Sequence, residues 1–191
     1  MRSAILTATR ALAAEFGWTA VTLRRIAERI EYSPATVYEH FANKEAILAA
    51  LADEGYAELA VSLRRASAKE KDGHAAMRAM AHAYWRFADR SPDMYQVMFE
   101  LAGVSGAVSG DKSAAAHAAF ALLKDSVESV AAAAGIRLAD SSDEAASMWA
   151  AWHGLVSLTM SGRMVGGKSH AETLVESTTE RLLAGMTARS A

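Results

Sequence analysis

Six histidines, twenty-two carboxylates and no cysteine are the groups with which this 191-residue chain could do chemistry. The missing thiol excludes disulfides, thiolate metal sites and cysteine nucleophiles together, and agrees with a reducing compartment. His82, His117 and His153 fall on three separate helical segments and could converge on a metal through their imidazoles. No two of them share the four-residue spacing of a helical metal pair. They are therefore expected to hydrogen-bond or to line a pocket, with no metal bound. There is no phosphate-cradling glycine loop, no His-Glu-x-x-His and no Gly-x-Ser-x-Gly, and the carboxylates sit on solvated helix faces. The chain is not expected to be an enzyme or to carry a cofactor. Recognition is the chemistry that remains.

The groups suited to recognition crowd into residues 22–48, TLRRIAERIEYSPATVYEHFANKEAIL. Thr22 can cap a helix, because its hydroxyl can accept from a free N–H one turn on. Ile26 and Ile30 then share one face, with Arg24, Arg25, Glu28 and Arg29 around the rest. Ser33 followed by Pro34 opens a second helix, a cap residue and then a proline at the first helical position. Val37 and Phe41 can face the isoleucines, which leaves Pro34, Ala35, Thr36, Tyr38 and Glu39 outward. A third helix starts at Asn43. Two short helices sharing an apolar seam across a tight turn fit a helix-turn-helix, whose second helix enters the major groove of DNA. A helical hairpin packed inside a larger domain fits the same pattern, and pattern alone leaves both open.

The elements that must position this stretch read as helices throughout. Only two prolines interrupt a chain that is 52% hydrophobic, and alanine, the strongest helix former, dominates its long segments. An all-α fold is expected. The first helix runs from about Arg2 to Phe16, with Ile5, Ala8, Leu12 and Phe16 as its apolar stripe, and Gly17 ends it. Trp18 is expected to wedge into the core beside it. Asn43 to about Ala66 forms one long helix with Ile47, Leu48, Leu51, Tyr56, Leu59 and Leu63 inward and Gly55 as a mild weak point. Further helices are expected at about 74–89, at 92–101, at 111–134, after a cap at Ser142, and at 169–187. A glycine-rich loop is expected over 103–110. No signal sequence or membrane-length apolar run is visible, so a soluble cytoplasmic protein is expected. The net formal charge is −2. Residues 1–48 hold six Lys or Arg against five Glu, whereas the rest hold fourteen cations against seventeen carboxylates. That asymmetry favours nucleic acid only at the first segment.

Several fixed spacings agree at once: FGW at 16–18, T-L-x-x-I-A-E-R at 22–29, S-P-A-T-V-Y-E-H-F at 33–41 and N-K-E-A-I-L at 43–48. Over these first fifty residues the chain closely resembles the TetR family of bacterial repressors. The resemblance implies a three-helix DNA-binding head at residues 1–48 and a larger helical body for ligand binding and dimerisation at 49–191. It also implies roles. Thr22 and Arg24 would touch phosphate or a groove edge, and Arg25 would add a phosphate. Ser33, Pro34, Ala35 and Thr36 would meet base edges, with Tyr38 beside them. His40 and Lys44 would hold the DNA backbone. Pro34 and Ala35 can offer only apolar contact, for instance to a thymine methyl. The family often carries a polar arm before its first helix; here minor-groove contact from an arm is not expected. Glu31 and Tyr32 depart from the family's glycine and small aliphatic in the turn. A Glu held in a left-handed backbone there costs about 1 kcal/mol.

In the body, MWAAWHGLVSL resembles the Trp-His-Gly motif of one TetR C-terminal domain type. This implies that the last two helices pair with their copies in a second subunit. Ala145, Trp149, Val156 and Met160 on one, and Leu174, Thr178, Leu182 and Met186 on the other, are the expected interface. Tyr84, Trp85, Met94, Tyr95, Met98, Phe99, Phe120, Trp152 and His153 are the expected lining of a pocket for an apolar or amphipathic effector. The expectation is a ligand-responsive regulator, a repressor acting as a homodimer on a palindromic operator. The alternative is a ligand-binding or adaptor protein of the same fold whose head no longer reads DNA.

Overall fold

The computed structural model describes residues 1–101, 103–104 and 113–188. Among these residues are nine α-helices and no strand: α1 (Arg2–Phe16), α2 (Leu23–Arg29), α3 (Pro34–Tyr38), α4 (Lys44–Ser67), α5 (Gly73–Arg90), α6 (Pro92–Met98), α7 (Ala114–Ala133), α8 (Ser141–Met160) and α9 (Gly167–Ala188). The all-α class follows from the sequence as expected. Most of the loop expected at 103–110, and the helix start expected at Asp111, lie outside the described residues. No described helix is long and apolar enough to cross a membrane.

The chain divides into two compact units, Met1–Ala57 with Ser91–Ala116, and Glu58–Arg90 with His117–Ala191. The first, here the head unit, contains α1, α2, α3, the first half of α4, and α6. Its core is built where the sequence places it: Ile5, Leu12, Trp18, Ile26, Val37 and Phe41 are all buried. Phe16 departs from the expected stripe, for it is 47% exposed. It stands one residue before Gly17, where the helix ends, and its ring carries the Arg25 guanidinium at 4.4 Å instead of core atoms.

Within this unit α6 packs on α1 and α4. Arg10 pairs with Asp93 at 3.3 Å, and the buried Tyr56 hydroxyl donates to the Met98 carbonyl at 3.0 Å. Gly55 is not a weak point. A Cβ there would lie 2.6 Å from Met98 Sδ and 2.8 Å from Met94 Cγ, so the missing side chain is what lets α6 come this close.

The second, or body, unit holds α5, α8 and α9 against one another, with most of α7. α5 buries Met77, Met80, Ala81, Tyr84, Trp85 and Ala88. α8 starts slightly earlier than expected. Its cap is Asp140, whose carboxylate accepts from the Ser142 N–H at 2.7 Å, and not Ser142 itself. Three cap-competent residues stand in a row here, Asp140, Ser141 and Ser142. The first takes the role because a carboxylate is the stronger acceptor.

Candidate nucleic-acid interface

α2 and α3 are short, and caps hold both. Thr22 Oγ1 accepts from the Arg25 N–H at 3.2 Å, and Ser33 Oγ accepts from the Thr36 N–H at 3.3 Å, with Pro34 at the first helical position. A buried seam of Ile26, Ala27 and Val37 joins them. Between them the chain reverses through a left-handed residue: Glu31 has φ 60°. Its N–H reaches the Glu28 carbonyl at 3.2 Å, and the Tyr32 N–H reaches the Ala27 carbonyl at 3.0 Å. These two bonds are the Schellman pattern, in which glycine normally takes the left-handed place. The strain read from the sequence is therefore present in the backbone.

Of the ten residues assigned to DNA, Thr22, Arg24, Ser33, Pro34, Ala35, Tyr38 and His40 are exposed, and Arg25, Thr36 and Lys44 are half-buried. The hydroxyls of Ser33 and Thr36 lie 3.2 Å apart and bond each other. Tyr38 is the largest outward group of α3, at 56% exposure. The cations are mostly engaged. Arg24 Nε donates to Glu28 at 2.9 Å, Arg29 pairs with Glu15, and the Lys44 ammonium lies 3.3 Å from the Trp18 carbonyl. Arg25 donates to the Ala20 carbonyl at 3.1 Å. The Arg24–Glu28 pair is well exposed, and such pairs contribute little, so a phosphate can displace the carboxylate.

Arg2 was not among the sequence candidates. Its guanidinium lies 4.1 Å above the ring of Phe41 and donates to the His40 carbonyl at 3.4 Å. Nothing in the sequence links residues so far apart.

The nine residues assigned to a pocket separate between the two units. Met94, Tyr95, Met98 and Phe99 belong to the head unit, where the Tyr95 and Phe99 rings meet at 4.6 Å and Phe99 meets Tyr56 at 5.7 Å. Burial pushes the Tyr56 phenol up to about 12. Tyr84, Trp85, Phe120, Trp152 and His153 belong to the body unit. There Tyr84 lies 5.6 Å from both Trp149 and Trp152, and Phe120 lies 6.2 Å from Trp149. Trp152 is fully buried and donates through Nε1 to Thr179 Oγ1 at 2.9 Å; Thr179 was not anticipated. His153 Nε2 lies 3.2 Å from Ser157 Oγ, and burial holds its pKa below the ordinary histidine value. His82 lies 3.9 Å from Glu176, and no group of three or more His, Asp or Glu among the described residues is arranged to hold a metal.

The eight residues assigned to a subunit interface also divide. Ala145, Val156 and Met186 are buried inside the chain's own core, so they stand behind any surface a second copy could touch. Trp149, Met160, Leu174, Thr178 and Leu182 remain half-exposed. Gly154 on α8 and Gly185 on α9 face open space, where an added Cβ would meet nothing within 4 Å.

Two family models match this chain: residues 5–51 fit "Bacterial regulatory proteins, tetR family" and residues 77–182 fit "Tetracyclin repressor-like, C-terminal domain". The chain belongs to the TetR family. That family is one of transcriptional regulators, not of enzymes, and its N-terminal domain is the helix-turn-helix that α1, α2 and α3 form here. A helix-turn-helix-type transcriptional regulator of Bacillus subtilis strain 168, YobS, itself uncharacterised, is 32% identical over 92 residues. The match spans about half of each chain, 48% of this one and 48% of YobS. Among solved structures, a protein of unknown function from Rhodococcus sp. RHA1 is 27% identical with a TM-score of 0.81, covering 97% of this chain and 95% of that one. The TetR-family regulator PfmR from Thermus thermophilus shares the fold at 18% identity and a TM-score of 0.68, covering 94% and 97%. The match to the family's N-terminal model, residues 5–51, covers α1, α2 and α3.

Proposed function

We propose that this chain is a ligand-responsive repressor, a homodimer that occupies a palindromic operator and is released by a small apolar or amphipathic effector. The observation that carries this reading is the α2–α3 pair. A buried seam turns Pro34, Ala35 and Tyr38 outward from a helix too short to persist without that support, and His40 just after it is exposed. Ser33, Thr36 and Tyr38 meet the groove, Thr22 and Arg24 meet one strand's phosphates, and His40 and Arg25 hold the backbone. Lys44 joins them when its ammonium leaves the Trp18 carbonyl.

A two-fold operator calls for a two-fold protein. Glycine inside a helix is less favourable than alanine by roughly 0.5–1 kcal/mol, and close approach of another backbone is the usual return. An added Cβ at Gly154 would meet nothing within 4 Å among the described residues. We place the second copy there, over Leu158, Leu174, Thr178 and Leu182. The effector is assigned to the body unit, beside Tyr84, Phe120 and Trp149, with the uncharged His153 as a polar contact. It releases DNA by favouring the separation of the two heads that the operator does not fit.

The second reading, an adaptor with a head that no longer reads DNA, is favoured by one feature: carboxylates already face Arg10, Arg24 and Arg29. Gel shifts of the purified protein against the duplex upstream of its own coding sequence separate the two. A repressor binds, and with six to ten phosphate contacts loses roughly 10³–10⁵ in affinity between 50 and 200 mM salt. Tyr38→Ala then weakens binding about tenfold. Absence of any shift at low salt would establish the adaptor reading.

A further inference from the structure

The cations among the first 48 residues are held in different ways. Arg10, Arg24 and Arg29 each face a carboxylate, and Lys44 faces a carbonyl. Arg2 and Arg25 share another arrangement. Each guanidinium lies over a phenylalanine ring, 4.1 Å from the centre of Phe41 and 4.4 Å from that of Phe16. Each also donates to one main-chain carbonyl, that of His40 for Arg2 and that of Ala20 for Arg25. Neither is in an ion pair among the described residues. Stacking and one hydrogen bond fix a guanidinium without cancelling its charge. Four of its five N–H donors stay available in a rigid fork that matches a phosphate.

We propose that Arg2 and Arg25 are a matched pair of pre-oriented phosphate anchors, and that Arg2 is a DNA contact. This rests on the DNA-binding reading above. Arg2 rests on His40 and Phe41, which follow the recognition helix, whereas Arg25 belongs to the first helix of the motif and rests on Phe16 and Ala20. α1 carries Arg2 at one end and the Phe16 platform at the other, about 21 Å apart at 1.5 Å per residue, so one phosphate cannot serve both arginines. Two groups fixed before encounter lose little freedom on binding, unlike Arg24, which must first leave Glu28.

The test uses the full chain and a fluorescent, mixed-sequence DNA duplex, because non-specific binding reads phosphate contacts alone. Affinity is measured against salt for the unmodified protein and for Arg2→Gln, Arg25→Gln and Arg29→Gln. Arg2→Gln and Arg25→Gln should each flatten the slope of log affinity on log salt by about 0.9 per protomer, and Arg29→Gln should leave it unchanged. Arg2→Lys, which keeps the charge but loses the fork, should keep the slope and bind more weakly. Loss of folded protein lowers apparent affinity without changing the slope, so a merely structural strut is distinguished. An unchanged slope in Arg2→Gln overturns the assignment and leaves DNA binding standing. If the unmodified protein binds no duplex, the DNA-binding reading and this one fall together.

Discussion

Two helices in each unit end by the same hydrogen-bond pattern, filled with different residues. In the head unit, α2 and α6 turn off through Glu31 at φ 60° and Glu100 at φ 50°. In the body unit, α7 and α8 turn off through Gly135 at φ 70° and Gly162 at φ 68°. The closing bonds correspond: Tyr32 to Ala27, Leu101 to Gln96, Ile136 to Ala131 and Arg163 to Leu158. The body stops α7 and α8 at the lowest conformational cost. The head carries a side chain at a position that disfavours one, and it does so at the turn that leads into α3. Strain of this kind persists where the surroundings over-determine it and points to a functional constraint. The comparison extends to helix starts. Thr22, Ser33 and Asn43 cap the head with neutral oxygens, whereas Asp72 and Asp140 cap the body with carboxylates.

The sharpest contrast between the units uses one substitution at two glycines inside helices. Gly55→Ala forces a methyl into Met94 and Met98 and should destabilise the head unit by about 1–3 kcal/mol, the usual range for overpacking. Its cost falls toward the lower end if the flexible methionines swing aside, and adding Met98→Ala should then restore part of it. Gly154→Ala should do the reverse to the isolated chain, a gain of up to about 1 kcal/mol from helix propensity alone. Denaturant melts at low concentration read both. If the proposed dimer packs through α8, Gly154→Ala should weaken self-association in sedimentation; unchanged self-association would remove α8 from the proposed interface.

A smaller effect, of opposite sign in the two units, comes from the helix stops. Glu31→Gly relieves a left-handed Glu and should stabilise by about 1 kcal/mol, while Gly135→Ala creates the same strain and should destabilise by a similar amount. Equal signs in the two melts would show that the shared backbone pattern hides different energetics.

How far the sequence reaches follows from how local each signal is. The caps at Thr22 and Ser33, the stop at Gly17 and the inner face of α4 depend on residues within a turn or two of each other, and all were legible. Periodicity also gives the buried face of a helix, but not what covers it. Ala145, Val156 and Met186 read as a face for a second copy and turn out to be covered by the chain's own helices. The same limit hides α6, whose place in the head unit depends on Arg10–Asp93 and Tyr56–Met98, pairs separated by 83 and 42 residues. Trp152–Thr179 and Arg2–Phe41 were out of reach for that reason. On the recognition side, the outward placement of Tyr38 was legible, whereas the engagement of Lys44 with the Trp18 carbonyl was not.

The finest distinction between the units is their response to acid. The backbone N–H of Ala75 lowers the pKa of Asp72, and that of Ser142 lowers the pKa of Asp140, because each bond favours the ionised carboxylate. A carboxyl whose folded pKa lies below its unfolded value binds fewer protons when folded. Its contribution is therefore present above the unfolded aspartate range, near about 3.9, and is lost as pH falls through the folded pKa. Thr22, Ser33 and Asn43 have no proton to gain there. On acidification the first turns of α5 and α8 should fray while those of α2, α3 and α4 persist. Carboxyl NMR titration should place Asp72 and Asp140 below an ordinary aspartate, and amide exchange at Ala75 and Ser142 should quicken against Thr36 and Ala46. Asp140→Asn keeps an acceptor that cannot titrate, so α8 in that variant should lose the acid response while α5 keeps it. If α8 frays at the same pH with or without the ionisable group, the acid sensitivity of the body arises elsewhere and the contrast in caps has no energetic meaning.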